Sequence, residues 1–117
     1  MAAEKIFENK IKDFLKEYGC WHVKFFANAY TKAGIPDILA CVNGYFVGIE
    51  VKAKNGKPSD LQIYNLQKIE DSGGFAVLLY PDDFEDFKKM IFHILDDEID
   101  SAWYFENRLH LRHNLKL

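Results

Sequence analysis

Apolar side chains recur at Phe7, Ile11, Phe14, Leu15 and Tyr18, a three-to-four-residue spacing that draws one stripe along a helix over residues 3–18, closed by Gly19. Cys20 to Ala27 then shifts to an aromatic and β-branched run that predicts a strand. A polar loop through Asn28, Thr31, Lys32 and Gly34 follows, ended by Pro36. Residues 37–42 and 45–52 are two apolar runs separated by Asn43-Gly44, a pair that readily takes the positive backbone angles of a type I′ hairpin turn. After a turn at Asn55-Gly56, Ser59 and Gln62 carry the capping-box signature of a helix that runs to about Ser72 and stops at Gly73-Gly74. Phe75 to Tyr80 reads as a short buried strand, and the order strand, helix, strand between residues 45 and 80 implies a right-handed parallel crossover. Pro81 and Asp82 open another helix, with Phe84, Phe87, Ile91 and Leu95 on one face. Beyond the acidic stretch 96–100, Trp103–Phe105 and Leu109–Leu111 are expected to form a small hairpin around Glu106-Asn107, or a tail docked on the body or on a partner. There is no internal repeat and no linker.

The hairpin turn has a chemical consequence. If Asn43-Gly44 is a two-residue turn, Val42 faces Tyr45, and stepping outward along the ladder sets Asp37 against Glu50. Two carboxylates then stand across a hairpin on one face, their Cβ atoms roughly 4.5–5.5 Å apart. Lys52, two residues beyond Glu50, points to the same face. Like charges this close destabilise each other and call for a compensating cation or for one protonated carboxyl. A hard divalent ion with oxygen ligands suits such a pair; magnesium uses one or two carboxylates, keeps waters and leaves room for a phosphate oxygen. It activates water and stabilises phosphoryl charge, with a lysine beside it orienting the nucleophile or neutralising the transition state. The plainer alternative is a surface Asp facing a Glu at a hairpin end, offset by Lys52.

Composition restricts the remaining choices. The 117 residues suit one domain, and 49% apolar with 28% charged residues is the balance of a folded chain. No apolar run approaches the roughly 18–20 residues that span a bilayer, and the N-terminus reads as a charged helix without a signal-peptide core, so a cytoplasmic protein is expected. Cys20 and Cys41 lie in apolar segments without metal-type spacing and are expected to be buried thiols. The net charge of −3 is unevenly spread. Residues 1–57 hold nine lysines against six acids, and residues 58–117 hold six basic against twelve acidic residues. The first half can therefore face a phosphate backbone while the second faces solvent.

Taken together, Gly34-Ile35-Pro36-Asp37 and Ile49-Glu50-Val51-Lys52 resemble the PD-(D/E)XK nuclease signature, and Gly-Ile-Pro-Asp is similar to the virus-type replication-repair nuclease (VRR-NUC) branch. The resemblance spans about residues 4–90, through Lys57-Pro58-Ser59, Gln62 and Gly73-Gly74. It implies an α/β, restriction-endonuclease-like αβββαβ core with a mixed sheet, plus an extra helix and a C-terminal extension over 96–117, all within one nuclease domain. It also implies magnesium or manganese, one or two ions per site, held by Asp37, Glu50 and the Val51 carbonyl, with Lys52 as the catalytic lysine. The family places a glutamate on its first helix. Glu8, eleven residues before Gly19 as in the related archaeal Holliday-junction resolvases, is the candidate, with Glu4 in competition. The competing explanation for either is charge complementing the helix dipole. Gln62 resembles a family glutamine near the metal, although the capping box explains it equally well.

Lys24, Thr31, Lys32, Lys54 and Lys57 surround the expected metal, where they can hold phosphates, and Tyr30 can stack on a splayed base; each also reads as an ordinary surface residue. The expected reaction is metal-dependent hydrolysis of a DNA phosphodiester. Symmetric cutting of a four-way junction needs two sites, which a homodimer supplies, as the related junction resolvases do. Trp103-Tyr104-Phe105 is one candidate contact surface, or else the end of the core. A flap or other repair intermediate is the alternative substrate, and a non-catalytic DNA-binding module the alternative function. His93 reads as a core-edge residue. His110 and His113 lack accompanying cysteines and are not expected to bind zinc. No nucleotide-binding fingerprint is present, and the viral character of the family suggests a phage gene.

Overall fold

The computed structural model describes residues 2–28 and 33–115. Helix α1 (Ala3–Glu17) leads into strands β1 (Trp21–Lys24), β2 (Ile38–Val42) and β3 (Tyr45–Val51). Helix α2 (Asp60–Asp71), strand β4 (Phe75–Leu79), a 3-10 turn at Pro81–Asp83, and helices α3 (Phe84–Leu95) and α4 (Ile99–Arg112) complete the chain. The strands form one sheet in the order β1-β2-β3-β4. The first three are antiparallel, and β4 returns parallel to β3 after α2. This is the mixed-sheet αβββαβ arrangement that the family resemblance implies, with the parallel crossover expected from the pattern. No helix among the described residues is long and apolar enough to cross a membrane.

Asn43-Gly44 makes the tight turn that sets the register. Both residues have positive φ, 48° and 83°, and Val42 pairs with Tyr45 out to Ile38 with Ile49. The Asn43 side chain donates to the Ile94 carbonyl at 3.0 Å, so the hairpin tip is tied to the end of α3.

Alternation along the strands sorts the sheet into two faces. Ile38, Ala40, Val42, Val47, Ile49, Val51, Phe75, Val77 and Leu79 join Phe7, Ile11, Phe14 and Leu15 of α1 and the apolar stripe of α3 in the main core. The opposite face is covered by α2 only over β3 and β4, where Leu66 packs with Ala76 and Leu78. Over β1, β2 and the start of β3 that face stays open: Trp21, Val23, Cys41 and Phe46 are exposed. Cys20 is buried as expected, but Cys41 is not, because the odd positions of β2 turn away from the core.

Residues 99–112 correct the reading of the C-terminal segment. They form α4 rather than a hairpin, and the helix packs along the free edge of β4. Trp103 stacks on Phe75 with ring centroids 3.8 Å apart, and Phe105 stacks on His93. Trp103 and Phe105 thus finish the core, while Tyr104 is exposed. Glu106 accepts from the Ala76 N–H at 2.9 Å, and His110 Nε2 meets the Ala76 carbonyl at 2.7 Å. Two side chains stand in for a fifth strand at this edge, satisfying backbone groups that are costly to leave unpaired. At the far end of α4, Arg112 and His113 bind the buried Asp83 at 2.6 and 2.8 Å.

Candidate active site

Asp37 sits immediately before β2, where the β2–β3 ladder ends. Its carbonyl accepts from Phe25 N at 2.8 Å, and its Oδ2 accepts from Val51 N at 2.8 Å. The aspartate therefore terminates two strand pairings at once. Its position depends on the preceding turn: Gly34 has φ +80°, and a Cβ there would lie 2.8 Å from Leu61 and 2.9 Å from Asn65 of α2. Only glycine fits, which gives the Gly-Ile-Pro-Asp stretch a steric reason.

Glu50 extends from the α2-covered face of β3 and is only 2% exposed. Gln62 Nε2 donates to its Oε2 at 3.1 Å, and Lys52 Nζ lies 3.5 Å from the same oxygen. The other oxygen, Oε1, is buried without a hydrogen-bond partner. Burial first, and then the facing Asp37, push the Glu50 carboxyl up to about 8 despite Lys52, so without a cation it holds its proton at neutral pH. Gln62 both caps α2 and touches Glu50. Its Oε1 accepts from Ser59 N at 2.9 Å in the capping box, while its amide reaches Glu50.

Of the two acids weighed on α1, Glu8 is the one turned inward: it is 4% exposed, whereas Glu4 is exposed. Burial alone would raise its carboxyl. Hydrogen bonds from Lys24, Lys5 and Lys12 outweigh that and hold it at about 2. Lys24 Nζ lies 2.7 Å from Glu8 and 3.4 Å from Asp37, so it bridges the two acids. Lys24, grouped from the sequence with the phosphate-holding lysines, serves in this structure as a counter-ion to both acids. Lys54 and Lys57 are exposed and line a cleft of about 830 Å³ with Tyr80, Arg112 and His113. Tyr30, Thr31 and Lys32 lie outside the described residues.

The donors at the hairpin suit a hard cation. They are two carboxylates, with the Val51 carbonyl on the same side of β3: Val51 N bonds Asp37, Lys52 N bonds Leu79 of β4, and a peptide's C=O points opposite to its N–H. The unpartnered Glu50 Oε1 is the atom such an ion would satisfy. Glu8 does not close a three-acid cluster with them. Among the described residues, the trio whose ligand atoms all lie within 4.8 Å is Glu70, Glu106 and His110, where α2 and α4 meet β4 at Ala76. The sequence reading missed this trio. Its signal was Glu106-x3-His110, which becomes a shared helical face only once residues 99–112 are read as a helix.

The mixed αβββαβ sheet and the acid pair ending its central hairpin define a restriction-endonuclease-like nuclease. The chain belongs to the archaeal Holliday junction resolvase (Hjc) family, whose model matches residues 3–76. It is thus a nuclease of the PD-(D/E)XK type. No curated protein and no solved structure matches the chain.

Proposed function

We propose that this protein is a magnesium- or manganese-dependent endonuclease that resolves four-way DNA junctions as a homodimer, residues 1–117 acting as one nuclease domain of VRR-NUC character. The observation carrying the reading is a buried, donorless Glu50 oxygen opposite Asp37, with Lys52 beside it. Asp37, Glu50 and the Val51 carbonyl would hold the ion, which supplies activation of water and stabilisation of phosphate charge. The chain's own residues do the rest. Lys52 orients the nucleophile and offsets negative charge at the phosphate. Gln62 fixes the Glu50 carboxylate through Nε2, and Val51 N fixes Asp37. Glu8 keeps Lys24 against Asp37 and so sets the charge balance of the site. Lys54 and Lys57, exposed at the neighbouring cleft, supply phosphate contacts that position the duplex without reading its sequence. One such site per chain makes one cut, and a twofold pair makes two.

The test is incubation of wild type and Glu50→Ala with labelled four-way junction, flap and linear duplex, in magnesium, manganese or EDTA. Paired symmetric cuts in the junction, absent in EDTA and in Glu50→Ala, are the expected result. Cutting of flaps in preference to junctions would overturn the substrate. Junction binding without cutting in any metal would overturn the enzyme.

A further inference from the structure

We propose that Glu70, Glu106 and His110 form a second cation site, separate from the nuclease centre, which takes a zinc-like transition-metal ion and clips α4 to α2 and β4. Glu106 and His110 are four residues apart on α4 and share a face, and Glu70 comes from the last turn of α2. One ligand atom from each lies within 4.8 Å of the others.

Hydrogen bonding has already oriented the set. His110, 3% exposed, can only donate from Nε2 to the Ala76 carbonyl, because that carbonyl has no proton to give. In the neutral imidazole, Nδ1 then carries the lone pair. It faces Glu70 Oε2 at 3.9 Å, too far for a hydrogen bond and, in this tautomer, with no proton to offer. Glu70 Oε2 is itself buried without a hydrogen-bond partner, an acceptor aimed at another acceptor. Glu106, 2% exposed, is fixed by Ala76 N through one oxygen. An imidazole nitrogen and two carboxyl groups converging within 4.8 Å are a ligand set for a cation that displaces their protons, and the imidazole among them favours zinc and its neighbours over magnesium. A metal-bound histidine characteristically gives its other N–H to a backbone carbonyl, as His110 does to Ala76. Three protein ligands leave a fourth position open, the zinc arrangement with one water. The sequence alone argued against zinc at His110 because it sought cysteines beside it; the partners are two glutamates, one of them on another helix.

The site stands apart from the nuclease reading and can be tested without activity. The Glu50→Gln full chain, in which the hairpin acids are weakened, is stripped of metal and titrated with zinc chloride. Equilibrium dialysis measures stoichiometry and affinity, and nitrogen-15 NMR follows the histidine rings. One zinc per chain, a ligand-type shift at His110 Nδ1, and at least tenfold weaker binding in Glu50→Gln/Glu70→Gln are expected. Glu70 lies at the more exposed side of the trio, and circular dichroism verifies that the double variant is folded. The ring shift in the parent decides the matter independently should that variant unfold. Absence of zinc binding, unchanged affinity in the double variant, or a ring shift at His93 or His113 in place of His110 would overturn the proposal.

Discussion

Two acidic clusters flank β4's neighbourhood, and each contains a buried glutamate raised to about 8: Glu50 at the hairpin and Glu106 on α4. Burial is the leading cause in both, yet the surroundings differ. Glu50 faces Asp37, has Lys52 at 3.5 Å, and keeps one oxygen with no donor. Glu106 is tied to a backbone N–H of the sheet edge and has no lysine paired with it among the described residues. The same displacement thus arises at a site open to chemistry and at a site that closes an edge. What distinguishes them is which lone pairs remain unused and which cations stand by.

The sharpest way to break this comparison is to remove each glutamate. Glu50→Ala is expected to cut junction cleavage by on the order of 10²–10⁴-fold, with thermal stability held or raised because a poorly solvated carboxyl is gone. Single-turnover cleavage and thermal melts measure the two effects. Glu106→Ala should do the reverse. It leaves the Ala76 N–H buried without its acceptor and is expected to cost about 1–3 kcal/mol in urea unfolding, with cleavage retained.

A pH series sharpens the comparison further. In chelator, Glu50 and Glu106 stay protonated in the folded chain while their unfolded counterparts ionise near the ordinary 4.5. The native state then binds more protons, so stability falls as pH rises from about 4.5 to about 8 and levels off above. Glu106→Gln should flatten part of that slope. Glu8 runs the other way. Held at about 2 by its lysines, it contributes stability that is present above about 4.5 and is lost as pH falls toward 2. Glu8→Gln should therefore reduce the acid-side loss in chemical denaturation at pH 2–5. The smallest expected effect is at the cleft: Lys54→Ala and Lys57→Ala should each lower the magnitude of the salt slope of junction binding by about one, weakening affinity across sequences without changing the cut position.

The hairpin and its acids were legible because local chemistry dictates them. Asn43-Gly44 selects the turn, the turn selects the register, and alternation then sets Asp37, Glu50 and Lys52 on one face. Ser59 and Gln62 were legible for the same reason, since a capping box is closed within four residues. Segment 99–112 was not. Trp103-Tyr104-Phe105 has the composition of a strand and Glu106-Asn107 that of a turn, and the helix is chosen by contacts far away in sequence: Trp103 on Phe75, Glu106 and His110 on Ala76. Lys24 illustrates the same limit. Its place on a strand edge was readable, but its bridge to Glu8 and Asp37 depends on how α1 lies against the end of the sheet.

The two thiols, one under α1 and one on the uncovered half of the sheet, make the molecule its own reporter. Burial raises the Cys20 thiol as well as hiding it, whereas Cys41 is exposed opposite Trp21 and Phe46. A mild alkylating reagent should therefore mark Cys41 first, and the native protein carries a single chemical tag on that surface without any engineered residue. Whatever molecule comes to lie over β1 and β2 will announce itself by slowing that one reaction.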